Sequence, residues 1–152
     1  MTITRANAEA ILIKRIGGLF ADLGLDGTTV DGTNADLNDP IAWALQSLGY
    51  GVTDITNVSD TDLSALETSN YNSFFDLAEY RCLQTALSAA SYLVTITVGP
   101  RSEQLNHIAD TLGKMIDRKW KAIQEMYGIG LGTFTTSTLE MDFARHGDDT
   151  IY

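Results

Sequence analysis

Apolar residues recur at three- and four-residue spacing in successive stretches of this chain, and polar, glycine-containing segments separate them. The pattern therefore predicts helices joined by loops. The first helix is predicted from Arg5 to Leu23, with Thr4 as its N-cap and Gly24 beyond its end. Ala8, Leu12, Ile16, Leu19 and Leu23 form one stripe, widened by Ile13 and Phe20. Gly17 and Gly18 fall on the opposite face. Each costs roughly 1 kcal/mol relative to alanine inside a helix, so either a neighbouring backbone approaches closely there or the helix kinks.

Residues 25–38 read as a polar loop containing glycines. Asp39 is then expected to cap a short helix that has Pro40 as its first residue, runs from Ile41 to Leu48 and stops at Gly49. Trp43 and Leu48 are expected to point inward. Ser59 with Asp62 resembles a capping box, with aspartate in place of glutamate, opening a turn or two through Leu66. A long helix follows from about Asn70 to Val94 or beyond. Phe75, Ala78, Cys82, Leu83, Ala86, Leu87, Ala90 and Leu93 cover more than a third of its circumference, which marks the centre of a bundle. Arg81, Gln84, Ser88 and Ser91 form its narrower polar side. Cys82 reads as a small core residue. Glu79 falls inside the apolar sector, where it either pairs with a base across an interface or is turned to solvent by a small phase shift; exposure is the expectation.

The β-branched run Val94–Val98 leaves open where that helix ends. Gly99-Pro100 breaks the chain, and the last helix is predicted from Arg101 to Tyr127, with Gly128 terminating it. Its length is on the order of 40 Å at about 1.5 Å per residue. Leu105, Ile108, Leu112, Met115, Ile116, Ile123 and Tyr127 gather on one side with Trp120 at the edge; Lys114, Arg118 and Lys121 lie opposite. Asp110 with Lys114 and Asp117 with Lys121 are acid-first pairs at four-residue spacing, each contributing a few tenths of a kcal/mol. The basic stripe thus reads chiefly as a self-paired solvated face, and secondarily as a surface for the acidic part of another copy.

After Gly128 the pattern changes to threonines, scattered glycines and alternating apolar residues: Phe134, Leu139, Met141, Phe143 and Ile151, with Tyr152 last. Leu139-Glu140-Met141-Asp142-Phe143 alternates as a strand does. This segment is either disordered or an arm that adds an extended stretch to another chain; its five large apolar residues favour the arm. The fold expected is all-α, a bundle of about four to five helices over 1–128 with a long C-terminal helix, and an extended arm over 129–152.

Charge sharpens this picture. Between Leu25 and Tyr80 stand ten carboxylates and no lysine or arginine: Asp26, Asp31, Asp36, Asp39, Asp54, Asp60, Asp62, Glu67, Asp76 and Glu79. Residues 1–24 sum to +1, residues 81–128 to +2 and residues 129–152 to −3, so the net charge of −10 is concentrated in one block. Such a surface repels phosphate and argues against nucleic-acid or anionic-membrane binding. It leaves a solvated acidic face, a divalent-cation site, or a wall past which nucleic acid slides. At 152 residues with 44% apolar content the chain suits one globular domain. There is no uncharged apolar run of about 18 residues for a membrane span and no signal-peptide apolar block at the start. The one cysteine fits a reducing compartment or a particle assembled in one.

Sites for chemistry are scarce. The nearest match to a helix–loop–helix calcium loop begins at Asp22, but Gly24 and Thr33 occupy positions where ligands are required. A looser cation site within 26–39 is the fallback. Gly128-Ile129-Gly130-Leu131-Gly132 follows a helix and opens none, so it is a C-cap and hinge, not a dinucleotide fingerprint. His107 and His146 sit in no nucleophile or metal pattern. No cofactor and no enzymatic activity are expected.

Three stretches resemble the head–tail connector proteins of long-tailed bacteriophages, also called adaptor or head-completion proteins. They are DLNDPIAWALQSLGY with the following VTDITNVSDTDLSAL; NSFFDLAEYRCLQTAL; and the junction TITVGPRSEQLNHIADTL. Together they span roughly residues 36–127. Gly17-Gly18 and the C-terminal segment have no clear counterpart. The resemblance implies a non-enzymatic virion protein made in the host cytoplasm. It would form a ring, typically of twelve copies, beneath the capsid portal, extend the channel through which double-stranded DNA passes without specific binding, and meet a stopper or tail-terminator protein below. It also implies that the C-terminal segment (Phe134, Leu139, Met141, Phe143, Ile151, Tyr152) reaches the portal or a neighbour. Asp26, Asp31, Asp36, Asp54, Asp60 and Asp62 would then supply a channel or intersubunit surface, complementary to Lys114, Arg118 and Lys121. Two alternatives are a helical protein-binding module that forms no ring and a divalent-cation-binding helical module.

Overall fold

The computed structural model describes residues 2–128, and the expectations for Phe134, Leu139, Met141, Phe143, Ile151 and Tyr152 lie outside the described residues. The described residues are all-α: α1 (Arg5–Asp22), α2 (Ala35–Ser47), α3 (Asp60–Ser64), a 3-10 turn (Thr68–Asn70), α4 (Tyr71–Ile96) and α5 (Pro100–Tyr127). No helix among them is long and apolar enough to cross a membrane.

α4 is the axis of the bundle, with α1, α2 and α5 packed around it. Phe74, Leu77, Ala78, Cys82, Ala86 and Ala90 of α4 are buried against Leu12 and Phe20 of α1, Leu37, Ile41 and Leu45 of α2, and Leu112 and Ile123 of α5. Small residues on successive turns of α4, Ala78, Cys82, Ala86 and Ala90, let its neighbours approach closely. α4 ends at Ile96 and Thr97 is extended, so the β-branched run is helical for its first three residues only. Gly99, at φ 94°, turns the chain into α5, where Pro100 occupies the first turn. Met115, assigned from its spacing to the packed side of α5, is 44% exposed.

The start of α2 differs from the sequence expectation. Asn34, not Asp39, caps it, and Pro40 lies within the helix. The Asn34 side chain accepts from the Asp36 and Leu37 amides at 3.1 and 3.2 Å. Its Nδ2 donates to the Asp26 and Thr29 carbonyls at 3.1 and 3.0 Å. The cap is thus bonded both to the first turn of the helix and to the preceding loop, and it starts α2 early enough that Pro40 falls inside, where proline ordinarily costs about 3 kcal/mol. Ser59 and Asp62 do form both halves of a capping box at α3.

Gly17 is buried, contrary to its assigned face, and explains one of the two interior glycines. A Cβ on Gly17 would stand 2.7 Å from the Gly27 carbonyl oxygen, and one on Gly27 would meet the Gly17 carbonyl. The α1 backbone and the α1–α2 loop therefore touch directly. Gly18, by contrast, is exposed with nothing within 4 Å of its Cβ position. Gly18→Ala should raise stability by about 0.5–1 kcal/mol through helix propensity. Gly17→Ala should lower it by about 1–3 kcal/mol, because overpacking exceeds the same gain. Urea unfolding of the two variants against the parent chain measures both signs.

Candidate protein-interaction site

Two polar assemblies position the surfaces of this bundle. The first centres on Arg5, which is buried with Glu9 one turn along α1. Arg5 Nε donates to Glu9 Oε1 at 2.8 Å, Nη1 to Asn38 Oδ1 at 2.9 Å and the Val58 carbonyl at 3.3 Å, and Nη2 to the Asn34 carbonyl at 2.9 Å. Glu9 also accepts from the amides of Gly32 at 2.7 Å and Asn34 at 3.0 Å. Asn38 carries the network on, donating to the Ile55 carbonyl at 2.6 Å and accepting from the Val58 amide at 2.9 Å. One guanidinium thus ties α1, the start of α2 and both loops that flank α2.

Those loops hold the acidic residues, and most of them fasten the loops themselves. A repeated Asp-x-Thr spacing does this three times. Asp26 Oδ1 accepts from the Thr28 and Thr29 amides, both at 3.0 Å. Asp31 accepts from the Thr33 amide at 3.0 Å and hydroxyl at 2.6 Å. Asp54 accepts from the Thr56 amide at 2.8 Å and hydroxyl at 2.6 Å. Asp36 accepts from the Asp26 amide at 2.7 Å and Asp60 from the Arg5 amide at 2.6 Å. Asp62, expected on the acidic surface, is 5% exposed and belongs to the interior. It accepts from Thr53 at 2.9 and 2.7 Å and from Ser59 at 2.9 and 2.8 Å, through amide and hydroxyl in each case. The open acidic face is therefore Asp31, Asp54, Asp60 and Glu67, with Asp39 exposed but paired to Arg81 at 2.8 Å and Asp26 and Asp36 half-buried. Among the described residues no group of three or more His, Cys, Asp or Glu side chains could hold a metal ion.

The second assembly links α1, α4 and α5. Arg15 lies 3.3 Å from Asp76 and 2.8 Å from Glu79; Lys119 lies 2.9 Å from Asp76 and 3.1 Å from Glu79. Tyr127 donates to Asp76 at 2.7 Å. Glu79 is thus the paired group and not the exposed one, since its half-buried position on α4 faces bases from both flanking helices. Burial pushes the Asp76 carboxyl up, but Lys119, Tyr127 and Arg15 outweigh it and hold it below its ordinary value. Burial and the Asp76 charge push the Tyr127 phenol up to about 12. Beside this node Tyr80 lies between Trp43 and Trp120, ring centroids 5.9 and 4.9 Å away. Cys82 is buried in the core, and burial drives its thiol well above the ordinary range.

Where the node ends, α1 and α5 separate. A largely apolar groove of about 460 Å³ opens between them over α4, lined by Ile16, Leu19, Leu83, Ile108, Leu112 and Met115, with Arg15 and Glu79 at its margin. His107 and Thr111 complete its α5 wall. Lys114, Arg118 and Lys121 are exposed on α5, and none of the ion pairs among the described residues uses them. The pairs expected between Asp110 and Lys114 and between Asp117 and Lys121 are not formed. A second apolar surface lies at the α4–α5 turn, where Tyr92, Ile96 and Val98 are 65%, 59% and 96% exposed. Arg5, Glu9, Asn34, Asn38 and Lys119 were not singled out by the sequence. The Asp-x-Thr spacing was the one legible signal for the loop staples.

Arg5→Ala should destabilise the fold by about 3–5 kcal/mol, because it leaves the Glu9 carboxylate buried without its cation; chemical denaturation measures the loss. Acid titration should report the aspartate staples. Donors from Thr29 and Thr28 lower Asp26 to about 2, and donors from Ser59 and Thr53 hold Asp62 well below its ordinary value. A carboxyl depressed in the folded state contributes stability above its unfolded value of about 3.9 and loses it as pH falls through the folded value. Melting temperature should therefore stay level above about pH 5 and fall from about pH 4 towards 2, and Asp62→Asn should flatten that fall. Comparison of the chain with protein-family models, with curated proteins and with solved structures gives no match.

Proposed function

We propose that this chain is a non-enzymatic structural subunit of a bacteriophage neck, an adaptor that forms a ring against the capsid portal and continues the DNA channel. The observation that carries this reading is the separation of unpaired charge on one helical body. Exposed Asp31, Asp54 and Glu67 on loops and Asp60 at the start of α3 lie in a stretch from which lysine and arginine are missing, whereas unpaired Lys114, Arg118 and Lys121 sit on α5. A ring closes through heterologous contacts, in which one patch meets a different patch on the next copy, and this chain offers an acid-rich loop surface and a stripe of unpaired cations on α5, interspersed with exposed Asp110 and Asp117. A wall that duplex DNA must pass should repel phosphate, because a modest attraction repeated around a ring would sum to a trap. The sequence resemblance over residues 36–127 supports the same role. The partners are further copies of the chain, the portal and the next neck component, and the site is the virion neck.

The apolar groove favours a second reading, a helical module that binds a single protein partner and forms no ring. Negative-stain imaging of the full chain mixed with a candidate portal separates the two. A stacked annulus is expected; discrete one-to-one complexes would favour the module. Deleting residues 129–152 should abolish attachment to the portal while circular dichroism stays helical. Duplex DNA should show no retention by the free chain at physiological salt, and tight retention would sink the channel role.

A further inference from the structure

The groove between α1 and α5 has an apolar floor and cations along its α5 rim. Ile16, Leu19, Leu83, Ile108 and Leu112 supply the floor. Arg15 lines the α1 wall, where it is held by Asp76 and Glu79. On α5, at about 100° per residue, Lys114 and Arg118 share a face with His107, Thr111 and Met115, which line the groove. The one carboxylate among the lining residues, Glu79, is already held by Arg15 and Lys119. This combination suits a peptide whose apolar residues alternate with acids.

The polypeptide carries such a stretch. Leu139-Glu140-Met141-Asp142-Phe143 places three large apolar residues at two-residue spacing with an acid in each gap, and Phe134 precedes it. An extended peptide of that pattern offers its apolar residues to one side and its acids to the other. Reach is sufficient. Met115 lies twelve residues before Tyr127, about 18 Å along α5, and the eleven residues from Gly128 to Thr138 span up to about 36 Å. Tethering to the same chain gives the stretch a millimolar-scale effective concentration at the groove before any second molecule competes.

We propose that the groove lined by Ile16, Leu19, Ile108, Leu112 and Met115 is a docking site for residues 134–143 of the same chain in the unassembled protein. The inference does not rest on the adaptor role, since groove and stretch belong to one polypeptide. Disulfide capture in the full-length chain tests it. Met115→Cys with Met141→Cys places one thiol at the groove and one in the stretch; Ile55→Cys with Met141→Cys is the control, on an exposed loop near the start of α1. Cys82 is buried and stays out of the exchange. Under mild oxidation at low concentration the groove pair should close within the monomer at least about tenfold faster than the control. Adding Leu139→Asp and Phe143→Asp should remove that advantage. Disulfide-linked dimers as the main product would assign the groove to a second copy and overturn the proposal. Equal rates for the two pairs, or no closure, would also overturn it.

Discussion

The structure depends on a buried guanidinium that is fully occupied. Arg5 lies where water cannot reach it, and a charge so placed is tolerable only when counter-charge and hydrogen bonds replace its hydration. Glu9 supplies the charge, and Asn38 with the Asn34 and Val58 carbonyls supplies the remaining acceptors. Lysine could not do this, because its ammonium is compact and lacks the planar fork that reaches four acceptors at once. No buried side-chain nitrogen or oxygen among the described residues lacks a hydrogen-bond partner. The consequence is architectural. Two loops that bury Leu23 and Val58 in the core are also held against the bundle by polar bonds that converge on one side chain.

That arrangement changes the meaning of the acidic block. Ten carboxylates without a neighbouring base in sequence suggest a uniformly negative surface, yet the folded chain divides them by task. Asp62 is interior, Asp76 and Glu79 are neutralised by Arg15 and Lys119, and Asp26, Asp31 and Asp54 each close a threonine turn. Because a turn staple uses one carboxylate oxygen and leaves the charge in place, Asp31 and Asp54 fasten the loop and still repel phosphate. Structural and electrostatic roles coexist in the same residues. Unpaired cations remain on α5, away from those loops.

The central position of α4 accounts for the groove. α1 and α5 both pack on α4, and the Arg15–Asp76–Glu79–Lys119 node draws them together at one level of the bundle. Beyond that level they have only α4 in common, and the space between them is lined by Leu83 of α4 with Ile16 and Leu19 of α1 and Ile108 and Leu112 of α5. A surface of this kind follows from the packing, since two helices that both lie against a third need not touch each other along their whole length.

Helix number, the capping box at Ser59 and Asp62, the Gly99-Pro100 break and the burial of Cys82 were legible from the sequence, because each depends on residues within a few positions of one another. The start of α2 was not. Asn34 prevails over the Asp39-Pro40 signal through bonds to Glu9, Asp26 and Thr29, which lie up to 25 residues away in the chain. Glu79 was read as solvent-facing because its partners come from α1 and α5, and Gly17 was placed on the wrong face because its neighbour is the backbone of Gly27. Periodicity determined the all-α class, and the order of charged residues along the chain determined the segregated charge. Tertiary structure decided which charges stay exposed and where the groove opens, because both depend on contacts between residues that only folding brings together.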